Sequence, residues 1–351
     1  MFTFILYLGV FIFIEIFYIF LGFKSYRHDE IDAGRNNFAN ALVFGIALIF
    51  SLAFSPFTPI MPYPLDVVTV VFSIAFIFIF YIFMVKEERD PNRQATYVFG
   101  EKLSLRYDMY RKLSHFIVVG IFLIYIIIGS WMIIVLNSWM ALTPEFWNAS
   151  HLESPESAYG QYTTMFFVGI AFIGLNIADF VRIMKPEAYP LKKVNRILRD
   201  REKGTMLGPQ VSFSIGCISV IMIIGPYFPM VACAAMGISS FGDAAANIIG
   251  RRWGKHKLRG PKTWEGLLGG AAVSFIVSFL FLIYEPALKT FKDGIPNIAT
   301  LNFGVPAIVA LAGTLTFCFV DYFTPVISDN LLNAFLSASI MVITAFVLVL
   351  L

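Results

Sequence analysis

Residues 228–266 read FPMVACAAMGISSFGDAAANIIGRRWGKHKLRGPKTWEG. The first part, 228–249, is an apolar run long enough for a helix to cross a hydrocarbon core about 30 Å thick. It passes without a break into a basic loop carrying Arg251, Arg252, Lys255, His256, Lys257, Arg259 and Lys262, punctuated by Gly250, Gly254 and Gly260. A span that ends in a cluster of Lys and Arg is the pattern of a helix whose basic end stays on the cytoplasmic side. Similar alternation on both sides of this stretch makes the chain a bundle of membrane-spanning helices.

Apolar runs fall near 2–22, 38–54, 65–85, 113–137, 162–184, 208–225, 228–249, 266–284, 303–321 and 331–351. They predict an all-α, polytopic transmembrane bundle of about ten spans. The bulk composition agrees: of 351 residues 58% are hydrophobic, 17% aromatic and only 14% charged, against about 25% charged in soluble domains. Lys and Arg crowd 24–35, 86–112, 182–203 and 251–262, whereas 55–64, 138–161, 226–229 and 322–330 contain none. Ten spans then place both termini outside and the loops 86–112, 185–207, 250–265 and 322–330 inside. The first run contains Glu15, has no basic residue before it and no small-residue cleavage pattern after it, so it is expected to be a retained span. The net charge of +3 is what the positive-inside bias alone produces. Cys217, Cys233 and Cys318 lie in apolar runs without ligand spacing, which argues against a disulfide framework or a zinc site. Asn148 opens a glycosylation triplet with Ser150 on the side expected to be outside. No internal repeat of the transporter kind is visible.

Ionisable residues at span ends are where chemistry is expected, because such a group at membrane depth costs at least about 2.5 kcal/mol unless it is paired, hydrated or bound to a cation. Asp243 is the first of these. Ser239, Ser240, Gly242, Ala244, Ala245 and Ala246 around it allow close helix approach and account for themselves by packing; they do not account for the acid. Asn247 lies one helical turn on, on the same face. The loop that follows offers cations and glycine-exposed backbone amides to phosphate oxygens, although any cytoplasmic loop tends to be basic. Lys262 and Thr263 open the next span, and a helix N-terminus binds anions; Glu265 also suits a first-turn acid facing the helix dipole. His115 sits one turn into the fourth span behind Arg111 and Lys112, with a near-neutral pKa suited to proton transfer or phosphate contact. Asp179 and Arg182 are three apart at the end of the fifth span, which fits either a local ion pair or a substrate contact. Asp329 and Asn330 begin the last span and serve either as a helix cap or as oxygen ligands on the face that carries Asp243. Glu15 is mid-span without an evident partner.

Taken in order over residues 111–333, these elements resemble the polyprenol kinase branch of the phosphatidate cytidylyltransferase superfamily, which includes dolichol kinase, phytol kinase and CTP-dependent diacylglycerol kinase. The matching positions are Arg111, Lys112 and His115, then Asp179 with Arg182, then Gly242-Asp243-Ala244-Ala245-Ala246. Gly250, Gly254 and Lys255 follow, with Lys262-Thr263, Glu265-Gly266 and finally Asp329-Asn330. Residues 1–110 carry no matching motif, which divides the chain into an N-terminal helical part and a catalytic-type region, 111–351.

The resemblance implies transfer of the terminal phosphoryl group of CTP to the hydroxyl of an isoprenoid or other lipid alcohol, at the cytoplasmic face of the plasma membrane or endoplasmic reticulum. It implies magnesium on Asp243 and Asp329, and phosphate or nucleotide contacts from Asn247, Arg251, Arg252, Lys255, Lys262, Thr263 and Glu265. Asp243, His115 and Lys262 are then the candidate catalytic residues, with Arg111, Lys112, Asp179, Arg182 and Asn330 as polar substrate or structural positions. The implied partners are CTP, the alcohol and the bilayer, and no nucleic acid. The loop also resembles that of phosphatidate cytidylyltransferases, which make a CDP-lipid. Nothing after residue 270 supplies their basic-acidic and glycine-histidine signature, and the element at 111–115 belongs to the kinase side. A transporter is disfavoured because the polar positions gather at one face and no paired broken helices occur.

Overall fold

The computed structural model describes residues 2–54, 65–89, 116–129, 131, 132, 134, 135, 138, 156–190, 198, 202, 204–259, 262–284, 303–323 and 326–350. Arg111, Lys112, His115, Asn148 and Ser150 lie outside the described residues. Among the described residues eight helices are long and apolar enough to cross a membrane: α1 (Phe2–Arg27), α2 (Ile31–Phe54), α3 (Leu65–Arg89), α5 (Glu156–Met184), α7 (Pro229–Trp253), α8 (Trp264–Ile283), α9 (Gly304–Phe323) and α10 (Asp329–Leu350). Two shorter apolar helices, α4 (Ile117–Ile128) and α6 (Pro209–Ile223), fall on the other two expected runs. The protein is an all-α polytopic bundle, and the described residues contain no strand beyond an isolated bridge between Lys257 and Thr263.

Several helices extend past the apolar runs. The first basic turn shrinks to residues 28–30, because α1 continues to Arg27 and α2 begins at Ile31. Asp29 there adopts φ 58°, a left-handed conformation that Asp tolerates better than most residues. Both α6 and α7 start on proline, at Pro209 and Pro229, where the missing N–H is one that a helix leaves unbonded anyway. Residues 224–227 form the tight turn between them.

Packing divides the bundle into two cores with α6 between them. The first joins α1, α2, α4, α5 and one side of α6, chiefly through large side chains such as Tyr7, Phe11, Phe44, Phe172 and Phe213. The helices before residue 110 are thus packed into the same body as α4, α5 and α6. The second core joins the other side of α6 to α7, α8, α9 and α10, with Ala232, Ala235, Ala310, Ala334 and Ala338 set around Phe317 and Met341. Glu15 meets a notch in α2, where a Cβ on Gly45 would lie 3.1 Å from its Oε1.

Polar contacts tie several turns together at one end of the bundle. The Thr205 backbone N–H donates to Glu30 at 2.9 Å, and the Ser328 N–H donates to Asn36 Oδ1 at 2.9 Å. Lys185 pairs with Glu88 at 2.6 Å, and Lys262 with Asp321 at 2.6 Å. Each of these contacts joins segments that an alternation of ten spans would put on one side of the membrane. Tyr125 bonds Gln161 and the Gly225 carbonyl, the latter at 3.0 Å, where α4, α5 and the α6–α7 turn meet.

Candidate functional site

The site is built on the seam between α7 and α8. On α7, Gly242, Ala246 and Gly250 recur every fourth residue; on α8, Gly266, Gly270 and Ser274 do the same. Helices with small residues at this interval bring their backbones together. Here a Cβ on Gly270 would lie 2.7 Å from the Ala246 Cβ and 2.9 Å from the Gly242 carbonyl, and one on Gly266 would lie 2.7 Å from the Ala246 carbonyl. No larger side chain fits between them without moving a helix.

Immediately before Asp243 the hydrogen bonding of α7 widens to a π segment, Ile238–Gly242. Such insertions occur frequently at functional sites, because they rotate the following residues relative to a regular helix. Asp243 is 5% exposed. Ser240 lies three residues before it, and Ser274 on α8 faces Gly242. Both hydroxyls are buried and find no hydrogen-bond partner among the described residues. The Ser239 hydroxyl donates to the Asn330 carbonyl at 3.4 Å, bringing the start of α10 to α7. The buried Oδ1 atoms of Asn330 and Asn333 also find no partner among the described residues. Asp329 accepts from the Asn330 N–H at 3.0 Å, an acid at a helix start where the dipole favours it.

Asp321, near the end of α9 and also 5% exposed, completes the group. Its carboxylate accepts from Lys262 Nζ at 2.6 Å and its carbonyl accepts from the same amine at 2.8 Å. Asp243 and Asp329 lie near enough for their charges to act on the Asp321 carboxylate. Acids on α7, α9 and α10 thus act on one another electrostatically, and Lys262 is held against Asp321. Sequence position alone does not single out Asp321, because the apolar run 303–321 ends on it and makes it resemble a loop edge. A signal is there nonetheless: an ionisable residue on the last turn of a span carries the cost that singles out Asp243.

The basic loop folds back on itself. Trp264 N–H donates to the His256 carbonyl at 3.0 Å and Leu258 N–H to the Lys262 carbonyl at 2.9 Å. Glu265 joins the two arms, accepting from the His256 backbone N–H at 3.2 Å and facing His256 Nδ1 at 2.6 Å. Thr263 caps α8, its hydroxyl accepting from Gly266 N–H at 3.2 Å. Glu265 and Thr263 are thus given contacts within the loop and helix start. Lys262 is turned to Asp321, while Arg251, Arg252 and Lys255 are exposed, with the Arg252 guanidinium 5.1 Å from the centre of the Trp253 ring. Asn247 is half-buried one turn past Asp243.

Asp179 and Arg182 stand apart, bound to the segment that leads into α6. Arg182 donates to both Asp179 oxygens, at 2.6 and 3.1 Å, and to the carbonyls of Glu202 and Met206 at 3.0 and 2.8 Å. Asp179 also accepts from Gly208 N–H at 2.9 Å. This pair fixes the path of the chain from α5 to α6. His115, Arg111 and Lys112 are outside the described residues, but the next residue, Phe116, packs edge-on against Phe241 at 5.1 Å.

Among the described residues no three His, Cys, Asp or Glu side chains converge closely enough to hold a metal ion by themselves. The donor chemistry nevertheless suits magnesium, which takes oxygen ligands and is usually held by one or two carboxylates together with substrate phosphates.

Comparison with known proteins bears on this arrangement. A phytol kinase of Synechocystis sp. is 32% identical over 74 residues, 19% of this chain and 32% of that protein. The chain thus aligns with about a third of the length of that curated relative. No protein-family profile and no solved structure matches.

Proposed function

We propose that this protein phosphorylates a lipid alcohol, taking the terminal phosphoryl group of a nucleoside triphosphate, CTP, at the cytoplasmic end of the bundle. The observation that carries this reading is Lys262 held against the buried carboxylate of Asp321, on which the charges of Asp243 and Asp329 also act, beside an exposed basic loop. The partial likeness to a phytol kinase supports the same chemistry.

In the transfer, the alcohol oxygen forms a bond to the γ-phosphorus while the bond from that phosphorus to the bridging oxygen breaks and CDP leaves. The hydroxyl proton passes to a protein base, for which His115 and the carboxylates are the candidates. Catalysis of such transfers is mainly positioning and charge stabilisation. Asp243 and Asp329 would hold magnesium, whose charge offsets that of the phosphate oxygens. Asp321 keeps Lys262 at the same place, so that a cation of the protein faces the entering phosphates. Arg251, Arg252 and Lys255 supply further positive charge at the surface where a nucleotide arrives.

The experiment uses purified full-length protein in detergent with labelled CTP or ATP, magnesium, and a panel of lipid alcohols and phosphatidate. Phosphorylated alcohol with CDP release is expected. A CDP-lipid with pyrophosphate release would replace the kinase reading by cytidylyl transfer, and ATP preference would correct the donor. Asp243→Asn is expected to abolish turnover while the protein remains folded and inserted; normal turnover in that variant removes the metal role of Asp243.

A further inference from the structure

A groove with a cavity volume of about 330 Å³ lies between α4, α5 and α6, outside the acidic group. Its walls are almost wholly apolar, with Ile121, Val168, Phe172 and Phe213 among them. Its rim reaches the lipid-facing surface, since Ile117 and Phe167 line it and are 62% and 46% exposed. The α4 wall runs from Ile117 to Ile124, about 10 Å at 1.5 Å per helical residue. Where the first turn of α6 meets this apolar slot, it presents a polar group, Gln210.

Gln210 is oriented by its neighbours. Its Nε2 faces Asp179 Oδ1 at 3.4 Å, and a carboxylate can only accept, so the amide nitrogen belongs on that side. The carbonyl Oε1 is buried and finds no hydrogen-bond partner among the described residues. A buried acceptor in that state is costly unless something donates to it. Gly208 gives the amide its room, since a Cβ there would lie 2.5 Å from Nε2.

We infer that this groove holds the hydrocarbon tail of the lipid-alcohol acceptor and that Gln210 Oε1 receives a hydrogen bond from the acceptor hydroxyl. This site rests on the lipid-kinase reading and is where that reaction takes its acceptor. A neutral acceptor atom matches an alcohol O–H, which donates, and not an ionised phosphate or carboxylate, which only accepts. The groove is linked to the acidic site through neighbouring elements. Its α4 wall begins one residue after Phe116, which packs on Phe241, two residues before Asp243. Its α6 wall is backed by the start of α10, where a Cβ on Gly216 would lie 3.3 Å from the Asn330 carbonyl. An alcohol seated with its tail toward the bilayer and its head toward Gln210 thus has its reactive end turned to the end of the bundle that carries the acids.

The test is photoaffinity labelling of the intact protein in liposomes by a long-chain alcohol carrying a diazirine in its tail. It needs no nucleotide and no turnover, so it can fail or succeed independently of the kinase assay. Labelled peptides are expected to contain 117–124, 167–175 and 213–217, with protection by the unlabelled alcohol and about fivefold weaker protection by the matched alkane. Labelling spread over the lipid-facing surface of α3, or equal protection by the alkane, overturns the inference. Two variants read the same point in turnover. Val168→Trp, which fills the groove, and Gln210→Leu, which removes the acceptor atom, are each expected to raise KM for the alcohol about tenfold with KM for the nucleotide unchanged. Thermal unfolding checks that both fold. Unchanged KM for the alcohol in folded Val168→Trp overturns the groove as the tail site, and the same result in folded Gln210→Leu overturns the contact to the hydroxyl.

Discussion

The two cores of the bundle solve the same problem in opposite ways. Around α1, α2 and α5, Tyr7 stacks on Phe11 at 5.3 Å, and Phe11, Phe44 and Phe172 interlock with ring centroids 5.1–5.6 Å apart. Along the α7–α8 seam the contacts are between small residues, with Gly242, Ala246 and Gly250 against Gly266, Gly270 and Ser274. Lipid tails are as apolar as a protein core, so helices in a bilayer gain little from hiding apolar surface and must be held by packing and hydrogen bonds. Interlocked rings and close backbones both supply packing. Close backbones also leave room for short polar side chains beside backbone atoms, and Asp243 lies on that seam. The aromatic core holds the helices that form the apolar groove; the small-residue core holds Asp243.

This contrast predicts that the first region fails by unfolding and the second by losing turnover. The largest effect on stability is expected at Arg182, whose guanidinium joins α5 to the segment before α6. Arg182→Met leaves the Asp179 carboxylate buried without its cation, a loss of about 3–5 kcal/mol. Arg182→Lys is expected to recover only part of it, because an ammonium cannot span both carboxylate oxygens and two carbonyls. Thermal unfolding in detergent measures both, and a melting temperature unchanged in Arg182→Met removes the clamp.

Asp321→Asn is expected to show the opposite signature. Removing a charge that positions Lys262 should lower kcat by about 10²-fold, the scale for losing one element of preorganised transition-state electrostatics, with the melting temperature little changed. Normal kcat in a folded variant would confine Asp321 to a structural pair. Gly270→Val tests the seam itself. Its side chain meets Ala246 Cβ and a backbone carbonyl, neither of which can swing away, so overpacking is expected to cost roughly 1–3 kcal/mol. Turnover should fall even well below the melting temperature, because the seam carries Asp243. A variant that loses stability and keeps full kcat when folded would separate the seam from the site.

Most of the architecture was legible because a span must be about 20 apolar residues long, and the observed helices fall on the runs read from the sequence. The start of α2 at Ile31 was hidden by Asp32, Arg35 and Asn36, polar residues that belong to a helix because Asn36 and Asn37 find partners beside α10 and on the segment before α6. Asp243 stands out in the sequence as an ionisable residue in an improbable place, and Asp329 as an acid at a span start that suits either a cap or a ligand. The π segment before Asp243 was not legible, since a change of hydrogen-bond register leaves no mark in composition. The groove was hidden for another reason: its walls come from three helices, and each wall alone reads as ordinary span.

The smallest expected effect separates the two roles that a sequence allows Thr263. Read from the motif, its hydroxyl belongs to the nucleotide site; in the fold it accepts from Gly266 N–H at 3.2 Å as the cap of α8. A cap is worth about 1 kcal/mol and is served nearly as well by serine. Its other contacts are with the seam, where a Cβ on Gly250 would lie 3.0 Å from the Thr263 Oγ1 and one on Gly254 would lie 2.6 Å from the Thr263 methyl. Thr263→Ser keeps the oxygen and drops the methyl, whereas Thr263→Val keeps the shape and drops the oxygen. If the hydroxyl acts by capping, Thr263→Val should lose about 1 kcal/mol of stability, Thr263→Ser a few tenths, and KM for CTP should stay within about twofold of the parent in both. A rise of about tenfold in that KM in Thr263→Val, with stability unchanged, would instead put the hydroxyl on the nucleotide and move the edge of the charged region into the first turn of α8.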